Sequence, residues 1–398
     1  KRTFLFIYNK KYKCFVRKGY EMTQSVTLIA TSAMGLESVV AKEVRELGYS
    51  PKVENGKVIF EAPVSAIPRC NLWLRVADRV KLLVGECKTL TFDELFEATK
   101  ALPWESYIPE DGAFPVTGKS HKSKLYSVSD CQAIVKKAIV ERLKLKHGIA
   151  NNLPESGALF KVEVAILNDI ASLTIDTSGV GLHKRGYRVG QGEAPLKETL
   201  AAALVLLTNW KADDLLIDPF CGSGTIPIEA ALIGQNIAPG FNREFASEDW
   251  KFIKHKFWDE ALQEAEDVAN YDQKLEIIGS DINHQMIGIS EKNAMEAGLN
   301  DLITWKQMQL RDLTLKQDNG YVIGNPPYGE RIKDEDYVVH LYKTLGEIMR
   351  ANETWSVYIL TSYKQFEKVY GKQATKRRKL FNGFIETNYY QYFGKKNK

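Results

Sequence analysis

The stretch DPFCGSGTIPIEA, residues 218–230, contains the first residues whose types and spacing suit chemistry. An acidic residue closes an apolar run, and two glycines follow before a helical pattern begins. Glycines let the backbone approach a ligand closely, and the N–H groups that open the next helix face that ligand. The spacing fits neither a P-loop, which has a lysine after its second glycine, nor G-x-G-x-x-G, because Pro227 replaces the third glycine. The turn therefore predicts a cofactor that is not a dinucleotide.

Three aspartates follow predicted strands and indicate which cofactor this is. Asp218 closes the strand LLIDPF, Asp281 closes LEIIGSD and Asp312 closes ITWKQMQLRD. The carboxyl ends of parallel strands meet at one edge of a doubly wound sheet, where ligands bind. A carboxylate there can accept hydrogen bonds from ribose hydroxyls or an adenine amino group, or balance a cationic ligand. Three carboxylates beside a glycine turn favour S-adenosylmethionine.

A second motif, NPPYGERI at residues 325–332, follows the predicted strand GYVIG. An amino group attached to a ring is a poor nucleophile because its lone pair is delocalised. The Asn325 side chain and the Pro326 carbonyl can accept hydrogen bonds from both N–H groups, which turns the lone pair toward a methyl sulfonium. The prolines fix the backbone, and Tyr328 can stack on a flat base taken out of its helix. We therefore predict a catalytic set of Asn325, Pro326, Pro327 and Tyr328, although an Asn-Pro pair alone also suits a simple turn.

The elements that must position these motifs differ between the two halves of the chain. From residue 22 to about 180, short strands and helices mix without long parallel crossovers, which predicts small α+β modules. From about residue 195, strands alternate with helices, which predicts a parallel, doubly wound α/β sheet. The tail KRRKLFNGFIETNYYQYF predicts a hairpin that turns at Asn382-Gly383. Residues 1–21 are interpreted as an extension outside the fold.

Composition excludes several classes of protein. The 398 residues carry 54 Lys and Arg against 50 Asp and Glu, so the net charge is +4 and a basic surface would have to be local. The five cysteines form no C-x-x-C pair, which predicts reduced thiols in a cytoplasmic protein without a metal site. Cys221 lies in the cofactor turn without a nearby base, so we interpret it as a packing residue rather than a nucleophile. No apolar run reaches the roughly 18 residues that span a membrane.

These motifs resemble those of known families. Residues 195–393 resemble a class I S-adenosylmethionine-dependent methyltransferase of the amino-methylating type, through DPFCGSGT and NPPYGERI. From about residue 22 the chain resembles THUMP-domain RNA methyltransferases, which include the RlmL-type rRNA guanine-N2 enzymes. That resemblance rests on FPVTGKSHKSKLYSVSDCQAIVKKAIVERL, LHKRGYR and APLKETLAAAL. It implies a Rossmann-like methyltransferase domain preceded by a ferredoxin-like and THUMP region, with these bounds: extension 1–21, ferredoxin-like subdomain 22–65, THUMP domain 66–180, linker 181–194 and methyltransferase domain 195–398.

The same resemblance implies a site and a reaction. The expected cofactor contacts are Asp218, Phe220, Cys221, Gly222, Ser223, Gly224, Thr225, Asp281, Ile282 and Asp312. The expected reaction is methyl transfer to N2 of a guanine in RNA, with 23S ribosomal RNA as the substrate. Three alternatives remain open. A tRNA guanine-N2 enzyme shares these motifs, and NPPY also occurs in nucleic-acid adenine-N6 and release-factor glutamine methyltransferases. The third alternative is a non-catalytic RNA-binding assembly factor.

Basic residues of the N-terminal half and of the join between the halves are predicted to contact RNA phosphates. They are Lys119, His121, Lys122, Lys124, Lys136, Lys137, His183, Lys184, Arg185 and Arg188. Tyr126 or Phe114 is available to stack on a base. The alternatives are a solvated helix face for the N-terminal residues and a flexible linker for the join.

Overall fold

The computed structural model describes residues 7–9, 14–16, 25–192, 195–328 and 335–395, with side chains from residue 25 onward. The strands of these residues form two sheets, one in each half of the chain. No helix among the described residues is long and apolar enough to cross a bilayer.

One mixed sheet carries the N-terminal half. Its strands are β1 (Ile7–Asn9), β2 (Cys14–Val16), β3 (Ser25–Thr31), β4 (Pro51–Glu54), β5 (Lys57–Pro63), β6 (Arg79–Lys88), β7 (Val116–His121), β8 (Val162–Leu167) and β9 (Ile170–Asp176). Its helices are α1 (Glu37–Glu46), α2 (Ala66–Trp73), α3 (Phe92–Ala101) and α4 (Val128–His147). The strand order is β4-β5-β3-β6-β9-β8-β7. Because β6 pairs with β3 on one side and with β9 on the other, it joins the predicted α+β modules into one sheet.

Part of the segment expected outside the fold belongs to this sheet. The strand β2 pairs antiparallel with β6, with Cys14 opposite Cys87 and Phe15 opposite Glu86. It occupies the edge of β6 beyond the residues that pair with β3, where unpaired N–H and C=O groups would otherwise remain. The prediction that all of residues 1–21 lies outside the fold does not hold for these strand residues.

The helix α2 ends earlier than its apolar pattern predicted. The apolar pattern of IPRCNLWLRVADRV suits a helix over residues 67–80, but α2 ends at Trp73 and β6 begins at Arg79. The carboxylate of Glu43 in α1 accepts hydrogen bonds from the backbone N–H groups of Arg75 (2.9 Å) and Val76 (3.2 Å). These two N–H groups are therefore used between elements instead of within a helix.

A second sheet carries the C-terminal half and confirms the predicted doubly wound architecture. Its strands are β10 (Leu216–Asp218), β11 (Ile277–Asp281), β12 (Ile303–Gln307), β13 (Tyr321–Gly324), β14 (Ser356–Thr361), β15 (Lys376–Asn382) and β16 (Ile385–Tyr392). Its helices are α5 (Glu198–Leu206), α6 (Thr225–Gly234), α7 (His255–Val268), α8 (His284–Glu296), α9 (Glu335–Arg350) and α10 (Phe366–Tyr370). The order is β12-β11-β10-β13-β14-β16-β15, and β10 to β14 are parallel. Since β10 lies between β11 and β13, the chain order switches beside it, where ligands bind in such sheets.

An insertion between β10 and β11 connects the two halves. It contains α7, whose apolar side buries Trp258, Ala261 and Ala265. Arg69 of α2 donates hydrogen bonds to both carboxylate oxygens of Glu264 in α7, at 2.6 Å from Nε to Oε2 and 2.6 Å from Nη2 to Oε1. The insertion therefore fixes the catalytic half against the N-terminal half.

Candidate cofactor and substrate site

A cavity of about 740 Å³ lies at the carboxyl edge of the parallel strands. The predicted cofactor residues that line it are Asp218, Phe220, Cys221, Gly222, Ser223, Thr225, Asp281 and Ile282. Asn325 and Pro327 of the predicted catalytic set line the same cavity. The fold thus brings together two motifs that are about a hundred residues apart in the sequence.

The glycine turn requires glycine at two of its positions. Gly222 and Gly224 have φ angles of +52° and +83°, which side-chain-bearing residues rarely adopt. A Cβ atom on Gly224 would lie 2.7 Å from Cβ of Ser290 and 2.7 Å from the Trp305 ring. Gly224 therefore packs behind the cavity, and it lets α6 begin close to α8 and β12.

Two aspartates give the cavity its acidic character. Both oxygens of Asp281 are held by backbone donors, with Gly222 N–H at 3.1 Å and Asn283 N–H at 2.8 Å. Asp218 is buried and accepts one hydrogen bond from the N–H of Phe220 at 3.0 Å. Burial raises the pKa of Asp218 to about 8, although the Phe220 N–H opposes the rise. Two carboxylates in a cavity with many apolar wall residues fit a cationic ligand without phosphates, as S-adenosylmethionine is.

The third aspartate occupies a different position from its two counterparts. The strand β12 ends at Gln307, and Asp312 lies in a short 3-10 turn that follows it. Its side chain is largely exposed beside Arg311, whereas Leu310 and Arg311 of the same turn line the cavity. Asp312 therefore belongs to this turn rather than to the strand end, and it lies outside the cavity wall.

The catalytic loop follows β13 and is anchored by two hydrogen bonds from other elements. Oδ1 of Asn325 is buried and has no hydrogen-bond partner among the described residues. The carbonyl of Pro327 accepts a hydrogen bond from the Tyr342 hydroxyl at 3.3 Å, and that hydroxyl lies 2.8 Å from Oγ1 of Thr361. The Tyr328 hydroxyl accepts a hydrogen bond from Nδ2 of Asn382 at 2.9 Å.

The position of Tyr328 bears on its predicted role. Its side chain is only 3% exposed, so in this structure its ring is covered rather than open to a base. Residues 329–332 of the motif lie outside the described residues. The anchors Tyr342 and Asn382 were not predicted, because neither belongs to a recognisable motif.

Arg188 and Asn293 hold the cofactor turn in place through hydrogen bonds. The sequence predicted that Arg188 contacts RNA and indicated no role for Asn293. Arg188, predicted to contact RNA, donates to Oγ of Ser223 and to Oγ1 of Thr225, each at 3.0 Å. Its Nε pairs with the carboxylate of Glu198 at 2.7 Å. Asn293 of α8 is fully buried and donates to the carbonyl of Ser223 at 2.9 Å. The join between the halves is therefore fastened to the cofactor turn.

Replacing Arg188 by alanine is expected to weaken S-adenosylmethionine binding about tenfold, since two hydrogen bonds to the cofactor turn and a buried ion pair are lost. Isothermal titration calorimetry measures the change. The matched control is Lys184→Ala, which removes an exposed basic side chain from the same join and should leave cofactor affinity unchanged. Equal affinities of Arg188→Ala and wild type would contradict this positioning role.

The other predicted RNA contacts divide by exposure. Arg185 is buried and ion-paired with Glu229, so it cannot face RNA in this structure. His183 is half-buried, and Lys136 and Lys119 pair with Glu155 and Glu163. The residues of this set that are exposed are Lys119, His121, Lys122, Lys124, Lys137 and Lys184.

Stacking residues divide in the same way. Phe114 is buried beneath the Lys136 ammonium, which lies 3.5 Å from the ring centroid, so this ring is not available to a base. Tyr126 is 82% exposed and follows the loop of His121, Lys122 and Lys124. Tyr126 is therefore the stacking candidate that this loop offers.

Cofactor affinity is expected to rise with pH between about 6 and 8. With its pKa raised to about 8, Asp218 is mostly protonated at pH 7, whereas a cationic ligand in the cavity favours its ionised form. Binding then releases a proton, and affinity increases by up to about tenfold per pH unit below the pKa. Calorimetry in buffers of different ionisation enthalpy measures the number of protons released when the cofactor binds. Asp218→Asn should remove the dependence, and a wild-type affinity that is flat over this range would refute it.

Three domain families match the chain. They are the RlmL ferredoxin-like domain over residues 27–81, the THUMP domain over residues 90–176 and the RMKL-like methyltransferase domain over residues 185–391. The first match extends past residue 65 and includes α2. Among the described residues, no group of three or more His, Cys, Asp or Glu side chains is placed to hold a metal ion.

Individual proteins agree with the domain matches. The chain is 62% identical to the putative RNA methyltransferase YpsC of Bacillus subtilis (strain 168), over 93% of this chain and 96% of that protein. It is 33% identical to the ribosomal RNA large subunit methyltransferase K/L of Shewanella baltica (strain OS185), over 91% of this chain and 52% of that protein. The crystal structure of SMU.472, a putative methyltransferase complexed with SAH, superposes with a TM-score of 0.91 at 47% identity, covering 95% of this chain and all of that one.

The cavity, its acidic residues and these relatives agree on the cofactor, which is S-adenosylmethionine. The chain spans about half the length of the K/L protein and nearly all of YpsC. It belongs to the RlmK/L family of S-adenosylmethionine-dependent RNA methyltransferases.

Proposed function

We propose that this protein methylates N2 of a guanine in large-subunit ribosomal RNA. The observation that carries the proposal is the buried Oδ1 of Asn325, an acceptor that lacks a partner among the described residues at the wall of the cofactor cavity. A buried acceptor without a donor costs free energy, and the amino group of a substrate would satisfy it.

The residues around Asn325 suit that task. Its side chain and the carbonyl of Pro326 would accept hydrogen bonds from the two N–H groups of the target, which directs the nitrogen lone pair toward the methyl donor. S-adenosylmethionine supplies the methyl group. The Tyr342 hydroxyl on the carbonyl of Pro327 keeps the loop in place. Tyr328 would stack on the base after its bond to Asn382 opens.

Two of the three predicted aspartates would bind the cofactor in the cavity. Asp281 would accept hydrogen bonds from the ribose, because its backbone donors hold the carboxylate at the end of the second parallel strand. Asp218 would balance positive charge deeper in the cavity. Asp312 lies outside the cavity wall, so it is the weakest of the three predicted contacts.

Ribosomal RNA is supported by the K/L relative, whose name states that substrate class. The choice of guanine N2 rests on the resemblance of the motifs to RlmL-type enzymes and on the match to the RlmL ferredoxin-like domain. A THUMP domain with an exposed basic loop supports RNA as the partner. The exposed side chains of His121, Lys122 and Lys124 would follow phosphates there.

The test uses RNA from a strain that lacks the gene, incubated with the purified protein and labelled S-adenosylmethionine. Ribosomal RNA and tRNA are separated and digested to nucleosides. N2-methylguanosine in large-subunit rRNA is the expected product. The same nucleoside in tRNA alone would refute the substrate, and N6-methyladenosine would refute the base. No incorporation into any RNA, including intact ribosomal particles, would favour a non-catalytic RNA-binding factor.

A further inference from the structure

The C-terminal hairpin ends in an exposed apolar tip. Asn382 and Ile385 are its last paired residues, so the turn consists of Gly383, with φ +63°, and Phe384. Phe384 is fully exposed and Ile385 is 45% exposed. Hairpin turns are ordinarily built from Gly, Asn, Asp and other polar residues, and an aromatic ring there gains no burial within the chain.

The tip lies at the catalytic edge of the sheet. In the antiparallel pair β14–β16, Thr361 at the carboxyl end of β14 pairs with Asn388. Residues 385–387 of β16 therefore extend beyond the edge at which the parallel strands end. Nδ2 of Asn382, next to the turn, donates to the Tyr328 hydroxyl at 2.9 Å. The exposed ring is thus two residues along the chain from a direct contact with the catalytic loop.

The hairpin also has basic character and a fixed position. Lys376, Arg377 and Lys379 of β15 are exposed; Arg377 lies 3.9 Å from Glu367, and Lys379 pairs with Glu386 at 2.6 Å. Arg378 instead donates to the carbonyl of Gly35 in the N-terminal half at 2.7 Å. The hairpin is therefore held between the two halves rather than free to swing.

We propose that Phe384 stacks on an unpaired RNA base that neighbours the target nucleotide, while Lys379, the exposed basic side chain of β15 nearest the turn, meets an adjacent phosphate. Stacking suits this position because a nucleotide taken out of its helix leaves its neighbours partly unstacked, and any base presents a flat face to an aromatic ring. The positive charge of β15 and the contact with Tyr328 favour RNA over a protein partner at this surface. This inference rests on the proposed function, because the base that stacks on Phe384 belongs to the RNA substrate of that reaction.

The test compares Phe384→Ala with Phe384→Trp in RNA methylation and in cofactor binding. Phe384→Ala should lower kcat/KM for RNA about tenfold, in line with the loss of one base–aromatic stack, while Phe384→Trp retains most of it. Affinity for S-adenosylmethionine should be the same in both variants, which shows that each is folded. The matched control is Tyr271→Ala: Tyr271 is 52% exposed and precedes β11, at the opposite edge of the sheet.

A photoreactive phenylalanine analogue at position 384 gives a second readout. It should crosslink to RNA within a few nucleotides of the methylated base, and the same analogue at position 271 should not. Unchanged kcat/KM in Phe384→Ala, with a wild type that methylates RNA, would overturn the inference and leave the proposed function intact. A wild type that binds the cofactor but methylates no RNA would overturn both.

Discussion

Replacing Asn325 by alanine is expected to lower kcat for methyl transfer about 100- to 1,000-fold, the range seen when one preorganised hydrogen-bonding group is removed from a reacting centre. Oδ1 of Asn325 is buried at the cavity wall and has no partner among the described residues, so its loss leaves no other interaction broken there. The effect should therefore appear in the reaction and not in folding. Single-turnover transfer from labelled S-adenosylmethionine, with cofactor affinity measured separately, checks both parts.

Two further variants make this expectation specific. Asn325→Asp keeps an acceptor oxygen at the same place and should retain more activity than Asn325→Ala. Asn352→Ala removes an amide that bonds the Ile348 carbonyl near the end of α9, ahead of β14 and away from the cavity, and should behave as wild type. If Asn325→Ala kept more than a tenth of wild-type kcat, the catalytic assignment would be wrong.

The sequence predicted the cofactor site where local pattern determines position. An apolar run followed by an acidic residue and two glycines specifies a strand, a turn and a helix in succession, and Asp218 and Gly222 of that turn line the cavity. The same logic placed Asn325 at the end of β13. The prediction that Asp312 closes a strand does not hold, because β12 ends at Gln307. Asp312 lies in the turn that follows, and its side chain is outside the cavity wall.

Residues whose partners are distant in the sequence were misassigned. Arg188 and Arg185 were grouped with the RNA contacts because a basic join suggests a polyanion, but their partners are Glu198 and Glu229. A signal was present in the helices TLAAALVL and TIPIEAALIG, where a single carboxylate adjoins or interrupts an otherwise apolar helix. Such a carboxylate predicts a buried cationic partner, since an unpaired buried charge is too costly.

The hairpin shows a second kind of limit. The pair Asn382-Gly383 predicted the turn, which lies one residue later, at Gly383 and Phe384. Asn382 thereby remains a strand residue whose amide reaches Tyr328. No local pattern distinguishes a turn asparagine from one that anchors a loop 54 residues away in the chain.

Replacing Glu229 by alanine is expected to destabilise the protein by about 3–5 kcal/mol, the cost of leaving a buried charge without its partner. The carboxylate of Glu229 is fully buried, lies 3.4 Å from Nε and from Nη2 of Arg185, and accepts a hydrogen bond from the Tyr187 hydroxyl at 3.0 Å. Arg185 also donates to the carbonyl of Leu182 at 2.8 Å. Urea unfolding followed by circular dichroism measures the change in unfolding free energy.

The destabilisation by Glu229→Ala should arise because the site is buried and because the charge of Arg185 is left without its partner. Glu260→Ala breaks the exposed i,i+4 pair with Lys256 on α7 and should cost less than about 0.5 kcal/mol. Combining Glu229→Leu with Arg185→Met removes both charges and should recover part of the loss, because the unpaired charge is gone while the Tyr187 hydroxyl and the Leu182 carbonyl still lose their partners. Since Glu229 lies one helical turn after Thr225, a destabilised α6 should also weaken cofactor binding. A loss below 1 kcal/mol in Glu229→Ala would mean that the join is held to the catalytic half by its apolar contacts alone.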